Sequence, residues 1–350
     1  MSPTEQLNQY YLTNYTKCDK DDSFLSSWQG LVYPLHIFSA ISTPLAVFGG
    51  YCILYKTPTK MSSFKWSLLN SHVWYALIDL IASLLMTPYL FLPIFGGTSL
   101  GIFERMGVPT PVQLWIAYII INIAAVSMVT LFENRFNSMP LNKYCIRKTS
   151  TKVIYRGIRM LPAPVFLSQA LYNSPDQEVA RLQNLKIVPC PNPLYFQYSV
   201  FTIAQGETIT YLFTLIMIFA ILEFGQAIFY ISACIYYLFY NLSANISLKT
   251  RQMQRKWLIN VIIQVVVPAV PVILMFTYSA YVVSIGQYNQ ALTNCLIYIL
   301  SSHNTVGTIV MIVIHKPYRQ YVVSLFGKRV LNSNQSTFKT SQSVQPVPLG

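Results

Sequence analysis

The sequence predicts an all-α membrane protein: a seven-transmembrane helix bundle with its N-terminus outside and its C-terminus cytoplasmic. Three observations lead there: the scarcity of charge, the length of the charge-free stretches, and the confinement of basic residues to alternate connections. Asp, Glu, Lys and Arg are 10% of the 350 residues, against roughly 25% in an ordinary soluble domain, while 53% are apolar or aromatic. A chain this poor in charge cannot cover a water-facing surface. The short alternating segments of a membrane barrel are absent from the pattern.

A helix crossing the bilayer core needs about 20 mostly apolar residues. Residues 1–30 are polar and carry no apolar signal-peptide core, so they are expected to form an extracellular segment, with the first span serving as the insertion signal. That span, 31–55, contains no charge, and the second, 67–95, contains only Asp79. The third, 113–136, is uncharged through Phe132. The fourth, 153–174, is the weakest, because it includes Arg156 and Arg159. Three apart, the two arginines share a helix face and are expected to reach the headgroups from the membrane boundary. The fifth, 208–242, carries a lone Glu223; at about 1.5 Å per residue it makes one helix of about 52 Å that projects past the membrane. From Trp257 to His315 there is no charge at all, and the polar break Gly286–Gln290 divides that run into a sixth span, 257–283, and a seventh, 291–315. Residues 316–331 read as a short juxtamembrane amphipathic helix, and 332–350, rich in Ser, Gln, Thr and Pro, as a disordered tail.

The net charge of +13 belongs to topology and not to nucleic acid. Of 24 Lys and Arg, 19 fall in the connections after the first, third and fifth spans, in the span ends adjoining the second of these, and in the tail, while the remaining connections hold eight of the 11 acids. Positive residues stay cytoplasmic, which places the N-terminus outside, the C-terminus inside and an odd number of spans between them. The bilayer is the partner this charge pattern names.

The same topology sorts the cysteines. Cys52 and Cys234 lie within spans and Cys145 in an inner loop, so all three should be thiols. Cys18, Cys190 and Cys295 face the oxidising side. A Cys18–Cys190 disulfide is the expected pairing, although spacing alone leaves the other pairings of three open. Asn14-Tyr15-Thr16 is a glycosylation sequon on the outer side; the sequons at Asn241, Asn245 and Asn334 fall inside and should stay unmodified.

Asp79 in the second span and Glu223 in the fifth are costly in a bilayer, and each is expected to face the bundle interior as a polar switch or a packing contact. Pro268 and Pro271 each remove a backbone donor from the sixth span and are expected to form a hinge. The four histidines are scattered and show no metal-ligand spacing. No phosphate loop, nucleophile elbow or zinc-protease motif occurs, so neither an enzyme, a cofactor nor a metal site is expected.

The residues themselves resemble the nematode serpentine chemoreceptors of class H over roughly 18–325. The likeness runs through Lys56-Thr57-Pro58 with Met61, then Trp66, Leu69-Asn70 and His72-x-Trp74, then Asp79, Pro88, Pro93 and Gly96-Gly97. It continues in Leu131-Phe132-Glu133-Asn134-Arg135, Pro175-Asp176-Gln177 with Ala180, Pro189-Cys190-Pro191, Gln264 with Pro268 and Pro271, Ser302-His303, and His315-Lys316-Pro317-Tyr318-Arg319. Against the broader rhodopsin-like pattern, Glu133 and Arg135 are two apart and cannot pair along one helix face. The third span has no cysteine at its outer end, which favours Cys18 as the partner of Cys190, and the seventh lacks Asn-Pro-x-x-Tyr.

The resemblance implies a G-protein-coupled receptor in the plasma membrane of a sensory cilium, responding to a small-molecule chemical cue. On that reading Glu133, Arg135, Lys143, Arg147, Arg251, Arg255 and Lys256 are candidate contacts for a heterotrimeric G-protein. Trp115, Tyr118, Tyr211, Tyr278 and Asn294, on the outer halves of their spans, are candidate ligand contacts. A ligand-gated channel or a small transporter is the alternative; the charge asymmetry opposes an N-terminus inside, and no internal repeat suggests a transporter.

Overall fold

The computed structural model of the chain describes residues 1–19, 21–58, 62–139, 144–240 and 247–325. Lys143, the sequons at Asn241, Asn245 and Asn334, the end of the expected amphipathic helix and the tail 332–350 lie outside the described residues.

Helix α1, Pro3–Thr13, starts inside the polar N-terminal segment. Ser2 and Glu5 cap it reciprocally and Pro3 takes its first position, where a missing N–H costs nothing. Helix α2, Trp28–Lys56, is capped by Ser27. Helix α3, Ser62–Leu80, passes into a π-turn over Ile81–Leu85. The expected second span runs on to residue 95, but the helix stops ten residues earlier. Pro88 cannot donate to a continuing helix and disfavours helical backbone at Thr87, which adopts φ 45°. The chain turns instead into a hairpin of β1, Pro88–Leu90, and β2, Gly96–Ser99. A third strand, β3, Phe201–Thr202, joins antiparallel to β2. This small sheet has no counterpart in the sequence reading.

After the single turn α4, Ile102–Arg105, helix α5 spans Thr110–Asn137. The expected fourth span is two helices, α6, Thr149–Met160, and α7, Pro162–Tyr172, broken where Pro162 supplies no N–H. Beyond them come α8, Gln177–Ile187, capped by Asp176, and the turn α9, Leu194–Gln197. Helix α10, Glu207–Ile235, ends in a π-turn over Tyr236–Tyr240. Helix α11, Leu248–Ile285, runs through Pro268 and Pro271 without interruption and stops at Gly286, whose φ of 74° suits a residue with no Cβ. It begins nine residues before the expected sixth span, so Arg251, Arg255 and Lys256 lie on a helix and not in a loop. The expected seventh span is again two helices, α12, Gln290–Ser301, and α13, His303–Ile314, interrupted at Ser302. Residues 316–325 are helical.

Among the described residues, six helical stretches are long and apolar enough to cross a membrane: 28–56, 64–85, 110–137, 207–240, 248–285 and 290–314. The α6–α7 pair, where the fourth span was expected, is not among them, although its 24 residues would reach about 36 Å at 1.5 Å per residue. Helix α5 is central and packs on α3, α10, α6 and α7, while α13 packs on α11, α2 and α3. Two apolar clusters occupy opposite ends. One, around Ile53, Phe132, Leu238, Leu258 and Met311, underlies the basic face. The other, around Leu31, Tyr89, Phe91, Tyr195 and Ile297, underlies the face that carries the N-terminus.

Candidate functional site

At the basic face, helix α6 enters the bundle through polar contacts. Arg156 donates from Nε and Nη2 to the two oxygens of Glu133, at 3.2 and 3.1 Å, and from Nη2 to Asn134 Oδ1 at 2.7 Å. One turn on, Arg159 pairs with Glu223 of α10, and Tyr155 donates to Gln226 of α10 at 2.8 Å. The arginines thus face inward to acids on the neighbouring helices, and Arg159 is buried. Headgroup contact, which the sequence reading expects, would leave Glu133 and Glu223 unpaired in an apolar surround, which is far costlier. The informative signal was the number of acids within spans: Asp79, Glu133 and Glu223 each require a partner, and two arginines three apart can meet two of them.

Glu133 is therefore turned away from any cytoplasmic partner. Arg135 lies 4.8 Å from the Trp257 ring, and its Nε and Nη2 have no hydrogen-bond partner among the described residues. Arg251 is buried, and Arg255 donates to Leu238 O at 2.9 Å. Arg147 and Lys256 are the exposed basic candidates.

In the middle of the bundle, Asp79 completes the broken seventh span. The break at Ser302 exposes the start of α13, and the Asp79 carboxylate lies beside it, with Oδ2 accepting from Thr305 Oγ1 at 3.5 Å. From α3 it thus sits at the N-terminus of a helix it does not belong to, where negative charge is favoured. His303 Nδ1 lies 2.9 Å from Asp79 Oδ1 and 2.8 Å from Leu300 O, so that nitrogen is assigned the ring proton. Beside it, Gly307 receives Pro268: a Cβ on Gly307 would sit 2.8 Å from Pro268 Cγ. Further along α13, Gln264 meets His315 at 3.3 Å.

The face that carries the N-terminus is closed by a polar clasp. Cys18 and Cys190 are joined by a disulfide. Tyr10 and Tyr15 donate to Pro189 O and Pro191 O at 3.0 and 2.9 Å, and the Tyr15 ring packs on Tyr11 and Phe196. Burial, with Tyr11 and the Asp22 carboxylate nearby, pushes the Tyr15 hydroxyl up to about 12. Asn192 holds Ser26 O at 3.1 Å, and Asn294 holds Leu25 O at 2.8 Å. Beneath the disulfide lies a half-open cavity of about 250 Å³ lined by Tyr15, Cys18, Asp19, Asp21, Ser26, Cys190–Pro193 and Tyr288–Gln290. Asn14 is exposed at the end of α1.

None of the five residues expected to line a ligand site lines the cavity beneath the disulfide. Trp115 donates to Ser168 of α7 at 3.0 Å, Tyr211 is exposed, Tyr118 is half-buried, and Tyr278 lies 3.4 Å from Thr293. Asn294 is wholly buried and spent on the clasp. The cavity-lining residues Tyr15, Asn192 and Tyr288 come from connections, where periodicity carries no information.

These features define a multi-pass helical membrane protein with a capped face, a polar midsection and a basic face. The chain belongs to the Srh family of serpentine seven-transmembrane G-protein-coupled chemoreceptors, whose sequence profile matches residues 26–328. It is 32% identical over 328 residues to serpentine receptor class H-72 of Caenorhabditis elegans, covering 92% of this chain and 93% of that relative.

Proposed function

We propose that the protein is a chemosensory receptor of the sensory-cilium plasma membrane, which binds an external small molecule and signals to a heterotrimeric G-protein. The observation that carries this reading is the family match across residues 26–328. The geometry fits it. The face with α1 and the disulfide is the outer one, in keeping with the charge asymmetry. A cue acting there bears on Tyr288–Gln290, the start of α12, and so on a seventh span whose lower half, α13, is held separately by Asp79. A ligand that favours one arrangement of that span shifts the population toward it. Pro268, packed against Gly307, is the hinge through which α11 answers, and the exposed Arg147 and Lys256 are the first G-protein contacts to test.

The test is a cue-evoked response in cells expressing the chain with an N-terminal epitope. Staining of intact cells, together with loss of the response when the G-protein is removed, is the expected result. A direct ligand-evoked current that persists without the G-protein would replace the receptor with a channel or transporter.

A further inference from the structure

Helices α6 and α10 meet at a second cavity, an open groove of about 340 Å³ lined by Tyr155 of α6 and by Ile221, Leu222, Gly225, Gln226 and Phe229 of α10. Most of that lining belongs to the stretch 207–240, which is apolar enough to cross a membrane, so the medium over the groove is lipid and not water. The groove is open because residue 225 is a glycine: a Cβ there would meet nothing within 4 Å. Leu222 and Phe229, three before it and four after, share its helix face and stand exposed on either side. A polar group of three ends this apolar strip. Tyr155 Oη donates to Gln226 Oε1 at 2.8 Å, and Tyr230 Oη donates to Tyr155 Oη at 3.4 Å. The Arg159 guanidinium, paired with Glu223, lies 5.6 Å from the Tyr155 ring and holds it in place. The amide nitrogen of Gln226 donates to nothing among the described residues. In hydrocarbon no water meets such a donor, and leaving it unmet is costly. The groove also has a direction. Tyr155 meets Gln226 while Arg159, one turn on, meets Glu223, so α6 and α10 run antiparallel. Tyr155 stands six residues into α6, about 9 Å from the basic connection before it. The polar end therefore lies toward the basic face, and Leu222 and Ile221 lie toward the middle of the bilayer.

The occupant this selects is an amphiphile with its polar end at the basic face. The polar group offers a free N–H beside free lone pairs on two phenol oxygens. A hydroxyl both accepts and donates and so satisfies both, whereas the ester carbonyl of a phospholipid only accepts. The strip beside it is flat at Gly225 and walled by Phe229, whose ring is set by Tyr230 at 5.4 Å and Phe136 at 6.1 Å. A rigid, flat apolar body makes that contact without the torsional freedom an acyl chain would lose. We infer that the groove is a binding site for a membrane sterol in the leaflet at the basic face. Its hydroxyl meets Gln226 and Tyr155, and its ring system lies along Leu222, Gly225 and Phe229. The open groove takes one face of the rings and leaves the other to lipid. The inference goes beyond the receptor reading and does not rest on it: binding requires only the helical body in a membrane.

The test uses the full chain in phosphatidylcholine nanodiscs, with a photoreactive diazirine cholesterol as probe and mass spectrometry to map the labelled peptides. Labelling is expected to saturate, to fall on α6 and α10, and to be competed by unlabelled cholesterol. Epicholesterol, which inverts the hydroxyl, and diacylglycerol, which carries a hydroxyl on flexible chains, should compete about three- to tenfold less well, the scale of a lost hydrogen bond. Gln226→Leu should weaken labelling by a similar factor. Gly225→Leu fills the groove and should abolish labelling there. Its side chain enters open space on a helix, so the melting temperature in sterol-free discs should not fall. Gly157→Leu, at an equally open glycine of α6 outside the groove, should leave labelling unchanged. Undiminished labelling of α10 in Gly225→Leu would overturn the site. So would equal competition by cholesterol, epicholesterol and diacylglycerol, which marks lipid that merely surrounds the bundle.

Discussion

Glu223 and Arg159 show what a buried charge demands. Each would be costly alone in the apolar interior, and each is tolerable because the other is there. Removing one partner leaves an uncompensated buried charge, at about 3–5 kcal/mol, whereas removing both can be close to neutral. Glu223→Gln is therefore expected to lower the thermal stability of the purified chain sharply, and Glu223→Leu combined with Arg159→Leu to restore most of it; a double variant worse than the single would show that the pair stabilises beyond mutual neutralisation. The tyrosines of the outer face make a separate prediction. Tyr15 and Tyr195 are both pushed up to about 12, mainly by burial, and both donate, Tyr15 to Pro191 O and Tyr195 to Arg181 O. A folded-state value raised above the unfolded 10 means that their contribution is complete below pH 10 and is lost as pH rises through about 12. Melting temperature should hold toward pH 10 and fall between 10 and 12, and Tyr15→Phe should flatten part of that fall while lowering the plateau.

At the scale of elements, what the sequence disclosed and what it withheld have separate causes. Charge-free runs located the helices 28–56, 110–137 and 207–240 within a few residues of their ends, because the hydrocarbon core enforces continuous helix. It withheld the breaks. Nothing in the apolar pattern around Ser302 announces an interruption, because the polar group that compensates it, Asp79, is more than 200 residues away. Nor did the run from Ser67 to Phe95, with Asp79 as its one charge, reveal a hairpin, because β1 is as free of charge as the helix before it; Pro88, Pro93 and Gly96-Gly97 were the available signal. The same reasoning explains why the ligand candidates do not line the cavity under the disulfide. They were chosen by depth on helices, while the cavity is built from connections whose position depends on a disulfide and a clasp. The Asp79 carboxylate at the start of α13, bonded to Thr305 and beside His303, predicts that Asp79→Ala costs about 1–2 kcal/mol, the scale of a lost polar contact at a helix N-terminus, and loosens α13 selectively. Hydrogen exchange should rise in the amides at 303–306 more than in α12. Gly307→Ala, against Pro268, should cost about 1–3 kcal/mol by overpacking.

For the whole molecule, the open quantity is orientation, which depends on charge and is carried by no helix alone. Basic residues gather at the face formed by the ends of α2, α5, α10 and α13, and the acids gather at the other, where α1, α8 and the disulfide lie. The two faces are therefore chemically unlike: one is a set of exposed cations, the other an oxidised, hydrogen-bonded cap. A disulfide closing 172 residues suits only an oxidising compartment and stabilises by restricting the unfolded chain, typically by about 2–4 kcal/mol. Asn14 turns this asymmetry into a measurement. It is exposed at the end of α1, four residues before Cys18, and is open to glycan transfer if the N-terminus reaches the lumen. Protein from eukaryotic cells should lose apparent mass on treatment with an N-glycosidase, and Asn14→Gln should abolish that change, whereas Asn241→Gln should not affect it. A glycan that survives Asn14→Gln and disappears with Asn241→Gln would invert the bundle. It would put the reducing cytoplasm against the disulfide and the cations of α11 outside, an arrangement in which neither face does what its chemistry suits.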